Sequence, residues 1–377
     1  MSLTLYVIIG ITCVLSLILT PIVIKFSIKH GFVDIPKDSR RVHSKPMPRI
    51  GGVAIVSSMF IGFLIYFLVT KDIPSIALSK KFLGYALGGL SIFLMGLIDD
   101  IFTLRARKKF IFQLVAGILV YAFGIRVSGI RIPFLIPETV GVNAVLDFLL
   151  TMAWVLSVTN AVNLIDGLDG LADGITIISA TSLLIVFSTT SLSLDAIIIT
   201  AILLGATLGF LPYNFNPAKT FMGDVGSNFL GFTLACVSLM GFAKGYTIIA
   251  ILTPILALGI PLFDAGFAMV RRFIKGVPLL KPDGGHIHHR LIKRGFSQRQ
   301  AVLILYSIST ILCIISIRVV IDDIWKVVLL IVIFVAFFFV AVFSIIRSRT
   351  GNGESTEINK NFSMDEVHDI KVEENKE

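Results

Sequence analysis

The chain has 377 residues, of which 55% are hydrophobic and only 15% charged, with a formal net charge of +9. A mean hydropathy of +0.92 excludes an ordinary soluble enzyme, because too few polar side chains remain to cover a water-facing surface. The three cysteines, Cys13, Cys236 and Cys313, all fall inside apolar runs without metal-ligand spacing, which excludes a disulfide framework.

Apolar runs of about 17 to 25 residues span a hydrocarbon core roughly 30 Å thick as helices. In chain order the candidates are Leu3 to Ile24, Val53 to Val69, Phe82 to Ile98, Phe110 to Ile125, Leu146 to Leu164, Ile175 to Ser188, Ala196 to Leu211, Phe229 to Phe242, Thr247 to Val270, Ala301 to Ile317 and Val327 to Ile346. The expected fold is therefore an all-α polytopic membrane protein of about eleven transmembrane helices. The first run has no basic residue ahead of it and ends in Thr20, Pro21 and Ile22 rather than a small-residue cleavage site, so it reads as an uncleaved span.

An odd number of spans puts the termini on opposite sides, and the basic residues choose between them. With the N-terminus outside, the inner loops carry 22 Lys and Arg against 8 in the outer loops. The expectation is N-out and C-in. From Thr350 onward the chain is polar, with 8 acids against 3 lysines, and reads as a disordered acidic cytoplasmic tail (350–377) behind a membrane domain (1–349). Without that tail the membrane body carries +14, an excess that attracts anionic headgroups and anionic substrates.

Every polar cluster falls on the same predicted side, in loops that meet the cytoplasm. In "RRVHSKPMPRIGG" (Arg40 to Gly52), Lys45 and Arg49 lie among prolines that stiffen the loop and suit an anion. "LIDD" ends the third span with Asp99 and Asp100, where the negative end of the helix dipole disfavours acids and a compensating cation is expected. These acids read either as a solvated pair answering Arg105, Arg107 and Lys108, or as a divalent-metal or phosphate-handling site. Successive helical residues point about 100° apart, so one of the two is expected to face a reaction centre.

In "NAVNLIDGLDG" (Asn160 to Gly170), Asn160, Asn163 and Asp166 follow at i, i+3 spacing on one helix surface, and Gly167 and Gly170 let the backbone approach a ligand. Asp169 is ambiguous, and Asp173 reads most simply as a cap for the sixth span. Within "PYNFNPAKTFMGDVGSN" (Pro212 to Asn228), Asp224 or Ser227 is either an N-cap or, between glycines, a carboxylate bent toward an ion. Phe221 offers a flat face for a base or an anchor at the bilayer interface. In "PDGGHIHHR" (Pro282 to Arg290), His286, His288 and His289 lack a nearby Cys, and Lys281, Arg290, Lys293 and Arg294 would repel a metal while welcoming phosphate, which argues against zinc. Asp264, inside the ninth span, either pairs with Arg271 or Arg272 or lines a cavity.

Carboxylates able to hold Mg²⁺, bases able to neutralise phosphate and a long array of apolar helices together indicate phosphoryl chemistry at a membrane surface. "GLIDD", "NAVNLIDGLDGLA", "FMGDVGS" and "HIHHRL" resemble, in order, the motifs of the polyprenyl-phosphate sugar-1-phosphate transferases, glycosyltransferase family 4. The resemblance runs from about Arg40 to about Leu291. "HIHHR" followed by Leu291 is similar to the N-acetylglucosaminyl branch, whereas the muramoyl-pentapeptide branch typically has three consecutive histidines followed by Phe-Glu, and ten spans. The chain keeps the family's acid at Asp283 and departs from the pattern at Gly284, Gly285 and Asp173.

The resemblance implies transfer of GlcNAc-1-phosphate from UDP-GlcNAc to undecaprenyl phosphate, with release of UMP, at the cytoplasmic face of a bacterial plasma membrane. It implies Mg²⁺, replaceable by Mn²⁺, at Asp224 with Asp99 and Asp100. Asp99, Asp100, Asp166 and His288 would be catalytic. Arg49, Lys45, His286, His289 and Arg290 would take phosphate oxygens, and Asn160, Asn163, Asp169, Asn214 and Phe221 would hold the donor. A homodimer is the usual state of relatives, and no nucleic-acid partner is expected. The lipid product would open an envelope polysaccharide such as teichoic acid or O-antigen. The alternatives are a phospho-N-acetylmuramoyl-pentapeptide transferase or a sibling using another UDP-sugar; a secondary transporter fits poorly, because the acids crowd one edge rather than mid-membrane.

Overall fold

A computed structural model describes residues 3–34, 46–70, 79–127, 143–190, 193–242, 255–274 and 287–321. These form eleven helices and one short ribbon: α1 (Leu3–Lys29), β1 (Val33–Asp34), β2 (Met47–Pro48), α2 (Gly52–Thr70), α3 (Lys80–Phe102), α4 (Ala106–Ala122), α5 (Ala144–Ile165), α6 (Leu171–Thr190), α7 (Leu194–Asn214), α8 (Gly223–Phe242), α9 (Gly259–Ile274), α10 (Ile287–Lys293) and α11 (Gln298–Ile321). Ten of the eleven apolar runs coincide with a helix in whole or in part. The run from Val327 to Ile346 lies outside the described residues, as do positions 247–254 of the ninth. By length and composition, seven of the helices can cross a membrane: α1, α2, α3, α5, α6, α7 and α11. The protein is a multi-pass, mostly helical membrane protein. All but the last described residue belong to one unit of the chain, Met1–Val320.

Local chemistry sets the helix starts. Ser79, Asn143 and Ser193 accept the backbone N–H groups of Phe82, Leu146 and Ala196, capping α3, α5 and α7. Gly124, at φ 87°, ends the turn after α4.

Packing follows membrane rules rather than soluble ones. On α1 the buried residues include Thr12, Ser16 and Thr20 at four-residue spacing, while Val7, Val14, Ile18 and Ile22 are exposed. Small polar residues thus face protein, and large apolar ones face outward as lipid requires. α7 meets this face at Gly205 and Gly209, where a Cβ would run into the backbone of Ile9 and Cys13. The backbones approach because neither partner carries bulk. α8 takes a central place, packed against α3, α5, α7 and α2, and nearly all of its apolar side chains are buried. Its first turn is where the functional residues gather.

A feature not anticipated from sequence is the antiparallel ribbon, in register Val33 to Pro48 and Asp34 to Met47. Its second strand is stitched to the segment before α8. Phe221 N–H donates to Pro48 O (2.9 Å), Gly51 N–H to Phe221 O (3.0 Å) and Gly52 N–H to Met222 O (2.8 Å). Arg49 is thereby held beside the start of α8.

Candidate active site

The C-terminus of α3 meets the N-terminus of α8. Asp100 Oδ1 accepts the backbone N–H of Asp224 (2.9 Å) and Oδ2 that of Val225 (3.0 Å). This carboxylate answers two of the orphan donors of α8, and the positive end of the α8 dipole offsets an acid badly placed at the negative end of α3. Gly223, at φ 66°, makes the join possible, since a Cβ there would run into Asp100 and the carbonyl of Arg49.

Asp99 points elsewhere. Its Oδ1 accepts the Leu104 N–H (2.6 Å) and its Oδ2 lies 2.6 Å from Lys109 Nζ. The same ammonium lies 2.8 Å from Asp224 Oδ2, so Lys109 bridges the two acids. Ligand atoms of Asp99, Asp100 and Asp224 all fall within 4.8 Å of one another.

Below them a cavity of about 660 Å³ opens, lined by carboxylates from three helix ends, Asp100, Asp166 and Asp224, together with Arg49 and Asn163. Asn163 Oδ1 accepts from Ser227 Oγ (2.9 Å), tying the end of α5 to α8. Asp166 follows the last turn of α5. Burial, with the nearby charges of Asp224, Asp100 and Asp169, pushes its carboxyl up to about 8. The cavity is also lined by Asp169, Asn214, Asn216, Phe221, His289 and Gln298. The volume falls well inside the range of about 300–1,000 Å³ usual for small-molecule sites.

Residues 82–242 match the family model described as glycosyl transferase family 4. A Bacillus subtilis (strain 168) protein named probable undecaprenyl-phosphate N-acetylglucosaminyl 1-phosphate transferase is 38% identical over 339 residues, covering 89% of each chain. The chain belongs to glycosyl transferase family 4. It is also similar to the decaprenyl-phosphate N-acetylglucosaminephosphotransferase of Mycolicibacterium smegmatis, at 37% identity over 74% of this chain and 73% of that protein. A phospho-N-acetylmuramoyl-pentapeptide-transferase of Listeria monocytogenes serovar 1/2a is 31% identical over 83% of this chain and 97% of its own. The motif resemblance to the N-acetylglucosaminyl branch of the family agrees with the names of the Bacillus and Mycolicibacterium relatives.

Within this family 4 protein, nine of the candidate catalytic, binding and metal residues line the cavity: Arg49, Asp100, Asn163, Asp166, Asp169, Asn214, Phe221, Asp224 and His289. Asp99 joins them through Lys109. Asn160 sits behind, in a buried amide cluster where its Nδ2 donates to Gln113 Oε1 (2.9 Å) and Gln113 Nε2 donates to Asn228 Oδ1 (3.3 Å). Asn214 lines the cavity, yet its side chain already joins Gly170 N–H (3.1 Å) to the Thr220 carbonyl (3.0 Å) and holds the loop closed.

His288 is 2% exposed and packs against Gly167, where any Cβ would meet its ring. Its neighbour His289, at a ring separation of 4.2 Å, is the one at the cavity. Both are positioned by Asp264, whose Oδ1 accepts the Ile287 N–H (2.9 Å) at the start of α10. Arg290 is half-buried on the same short helix, while Lys45 and His286 lie outside the described residues. Asp173 is fully buried in α6, and among the described residues neither carboxylate oxygen has a hydrogen-bond partner.

Sequence reasoning missed Lys109, Asn216 and Gln298. In the sequence Lys109 is one more positive charge of an inner loop. No local signal links it to Asp224, 115 positions away.

Proposed function

We propose that the protein transfers GlcNAc-1-phosphate from UDP-GlcNAc to undecaprenyl phosphate, releasing UMP, at the cytoplasmic face of a bacterial plasma membrane, with its N-terminus outside. The observation that carries this reading is the convergence of Asp100, Asp166 and Asp224 with Arg49 on one cavity at the ends of apolar helices. The names of the relatives point to the same activity. Acids and a base on one cavity suit a diphosphate, and the surrounding helices suit a lipid co-substrate.

The donor set fits Mg²⁺, which favours one or two carboxylates plus substrate phosphate oxygens over a complete protein cage. Asp224, in the first turn of α8, with Asp99 and Asp100 would hold it; bound there, it would neutralise charge on the diphosphate. The protein's own part is positional. Asp100 fixes the first turn of α8 and so aims Asp224. Lys109 holds Asp99 and Asp224 together, and Arg49 offers a guanidinium to phosphate oxygens.

A phosphate monoester has a second pKa near 6, so the attacking lipid oxygen is largely unprotonated near neutral pH. A base has little to remove. Direct in-line displacement therefore suffices, with positioning and charge neutralisation as the protein's contribution.

Purified protein in detergent, given undecaprenyl phosphate and a panel of UDP-sugars with Mg²⁺ or EDTA, tests the reading. Lipid-linked product is expected with UDP-GlcNAc and Mg²⁺. Product only with another UDP-sugar would move the protein to a sibling activity. Exchange of labelled UMP into UDP-GlcNAc without lipid would replace the one-step route by a covalent one.

A further inference from the structure

A chain of side chains on the wall of the cavity has a fixed hydrogen-bond polarity. Asp169, when ionised, accepts only. Its Oδ2 takes the Ala218 N–H (3.2 Å) and one N–H of Asn216 Nδ2 (2.9 Å). Asn216 must therefore present its NH₂ to Asp169, and the same NH₂ donates to Gln298 Oε1 at 2.9 Å. Arg299 secures the far side, its Nε donating to Asn216 O (3.0 Å) and Oδ1 (3.3 Å).

The direction of each bond dictates the next. Gln298 must turn its oxygen to Asn216, which leaves its own NH₂ for the cavity that it lines. Asp169 Oδ1 remains an acceptor. One wall thus offers a carboxylate acceptor beside an amide donor, and Phe221 lines the same cavity. Gln298 lies in the first turn of α11, outside residues 82–242 that match the family model.

A pyrimidine distinguishes itself by this pattern. Uracil presents N3–H as donor and O4 as acceptor, whereas cytosine presents N3 as acceptor and its N4 amine as donor. Uracil would pair N3–H with Asp169 and O4 with Gln298. Cytosine would set its N3 lone pair against a carboxylate and its amine against an amide NH₂. We propose that Gln298, aligned by Asn216 beside Asp169, is a specificity-determining residue that reads the uracil edge of the donor nucleotide. This rests on the proposed uridine-nucleotide donor.

The test uses full-length protein in detergent with Mg²⁺, and UDP and CDP as probes in a calorimetric titration. Wild type is expected to bind UDP tighter than CDP by about 10- to 100-fold, since a mismatched base leaves buried polar groups unpaired. Gln298→Glu keeps an oxygen for Asn216 but turns a second acceptor to the cavity, so UDP should weaken about 10-fold or more while CDP does not, and the ratio collapses toward one. Gln298→Ala should reduce the ratio through loss of UDP affinity alone. The ratio is insensitive to the folded fraction, so a merely structural role for Gln298 would not move it. If both variants keep the wild-type ratio, or if wild type binds UDP and CDP equally, the inference is wrong and the donor reading stands. If wild type binds neither nucleotide, the donor reading falls and takes the inference with it.

Discussion

Asp100 and Asp224 are joined by a helix start. The Asp100 carboxylate receives the N–H of Asp224 itself (2.9 Å) and of Val225 (3.0 Å), so one acid of the cluster builds the platform on which the other stands. Two carboxylates within metal-ligand reach would ordinarily repel. Here the backbone N–H groups of α8 offset part of the first charge, and Lys109 pairs with the second.

Substitutions should separate these roles. Asp100→Asn replaces one acceptor by an NH₂ that faces a backbone N–H, losing half the cap and opposing two donors. A cost of about 1–2 kcal/mol follows, read as a fall in apparent melting temperature in detergent, and turnover falls with it. Asp224→Asn leaves the helix start intact. It is expected to lower turnover by about 100-fold or more with melting near wild type. Equal melting of wild type and Asp100→Asn would show that the cap carries no stability.

Part of this site was legible because apolar runs mark where helices end, and the acids sit at those ends. The 100° step between neighbours turns Asp99 and Asp100 apart, and of the two the structure puts Asp100 at the cavity. Pairings set by packing left no trace in local periodicity. Lys109 reaches Asp224 across 115 positions, and Asn216 reaches Gln298 across 82. Two adjacent histidines look alike in sequence; which one is buried depends on the rotation of α10, fixed by Asp264 from another helix. Asp173 reads as a cap in the sequence and is instead buried with no hydrogen-bond partner among the described residues.

Gly174 on α6 should prove coupled to Tyr306 on α11. A Cβ at Gly174 would land on the Tyr306 ring, whose hydroxyl donates to the Gly170 carbonyl. Gly174→Ala alone is expected to destabilise by about 1–3 kcal/mol through overpacking. In a Tyr306→Ala background the same change should be neutral or stabilising, because Ala exceeds Gly in helix propensity by roughly 1 kcal/mol. A double-mutant cycle on melting in detergent measures the coupling; additive effects would mean the two residues do not meet.

The carboxyl of Asp166, pushed up to about 8 by burial and by the charges of Asp224, Asp100 and Asp169, makes stability depend on pH. Unfolded, the group ionises near 3.9. Between about pH 4 and pH 8 the folded protein therefore holds a proton that the unfolded chain has released, and stability falls as pH rises through that window. In EDTA, the melting temperature of wild type should drop from pH 5 to pH 8, and Asp166→Asn, which cannot ionise, should flatten the slope. A variant as steep as wild type would assign the dependence to another group.

Asp264 offers the sharpest distinction between a structural acid and a positioning one. It is 2% exposed and accepts the first N–H of α10 at 2.9 Å, and that short helix carries His288 against Gly167 and His289 at the cavity. Asn can accept the same N–H through its amide oxygen, whereas Ala cannot. Asp264→Asn should hold activity within a few-fold of wild type, and Asp264→Ala should lower it about 10-fold for a melting change worth only about 0.5–2 kcal/mol, the usual range for a lost cap. The loss comes from histidines displaced relative to Asp166 and the α8 carboxylates, because sub-ångström to 1 Å misplacement of a positioned group is enough to slow chemistry by 10-fold or more. Equal loss in both variants would mean that the negative charge of Asp264, rather than its grip on Ile287, is what the site requires.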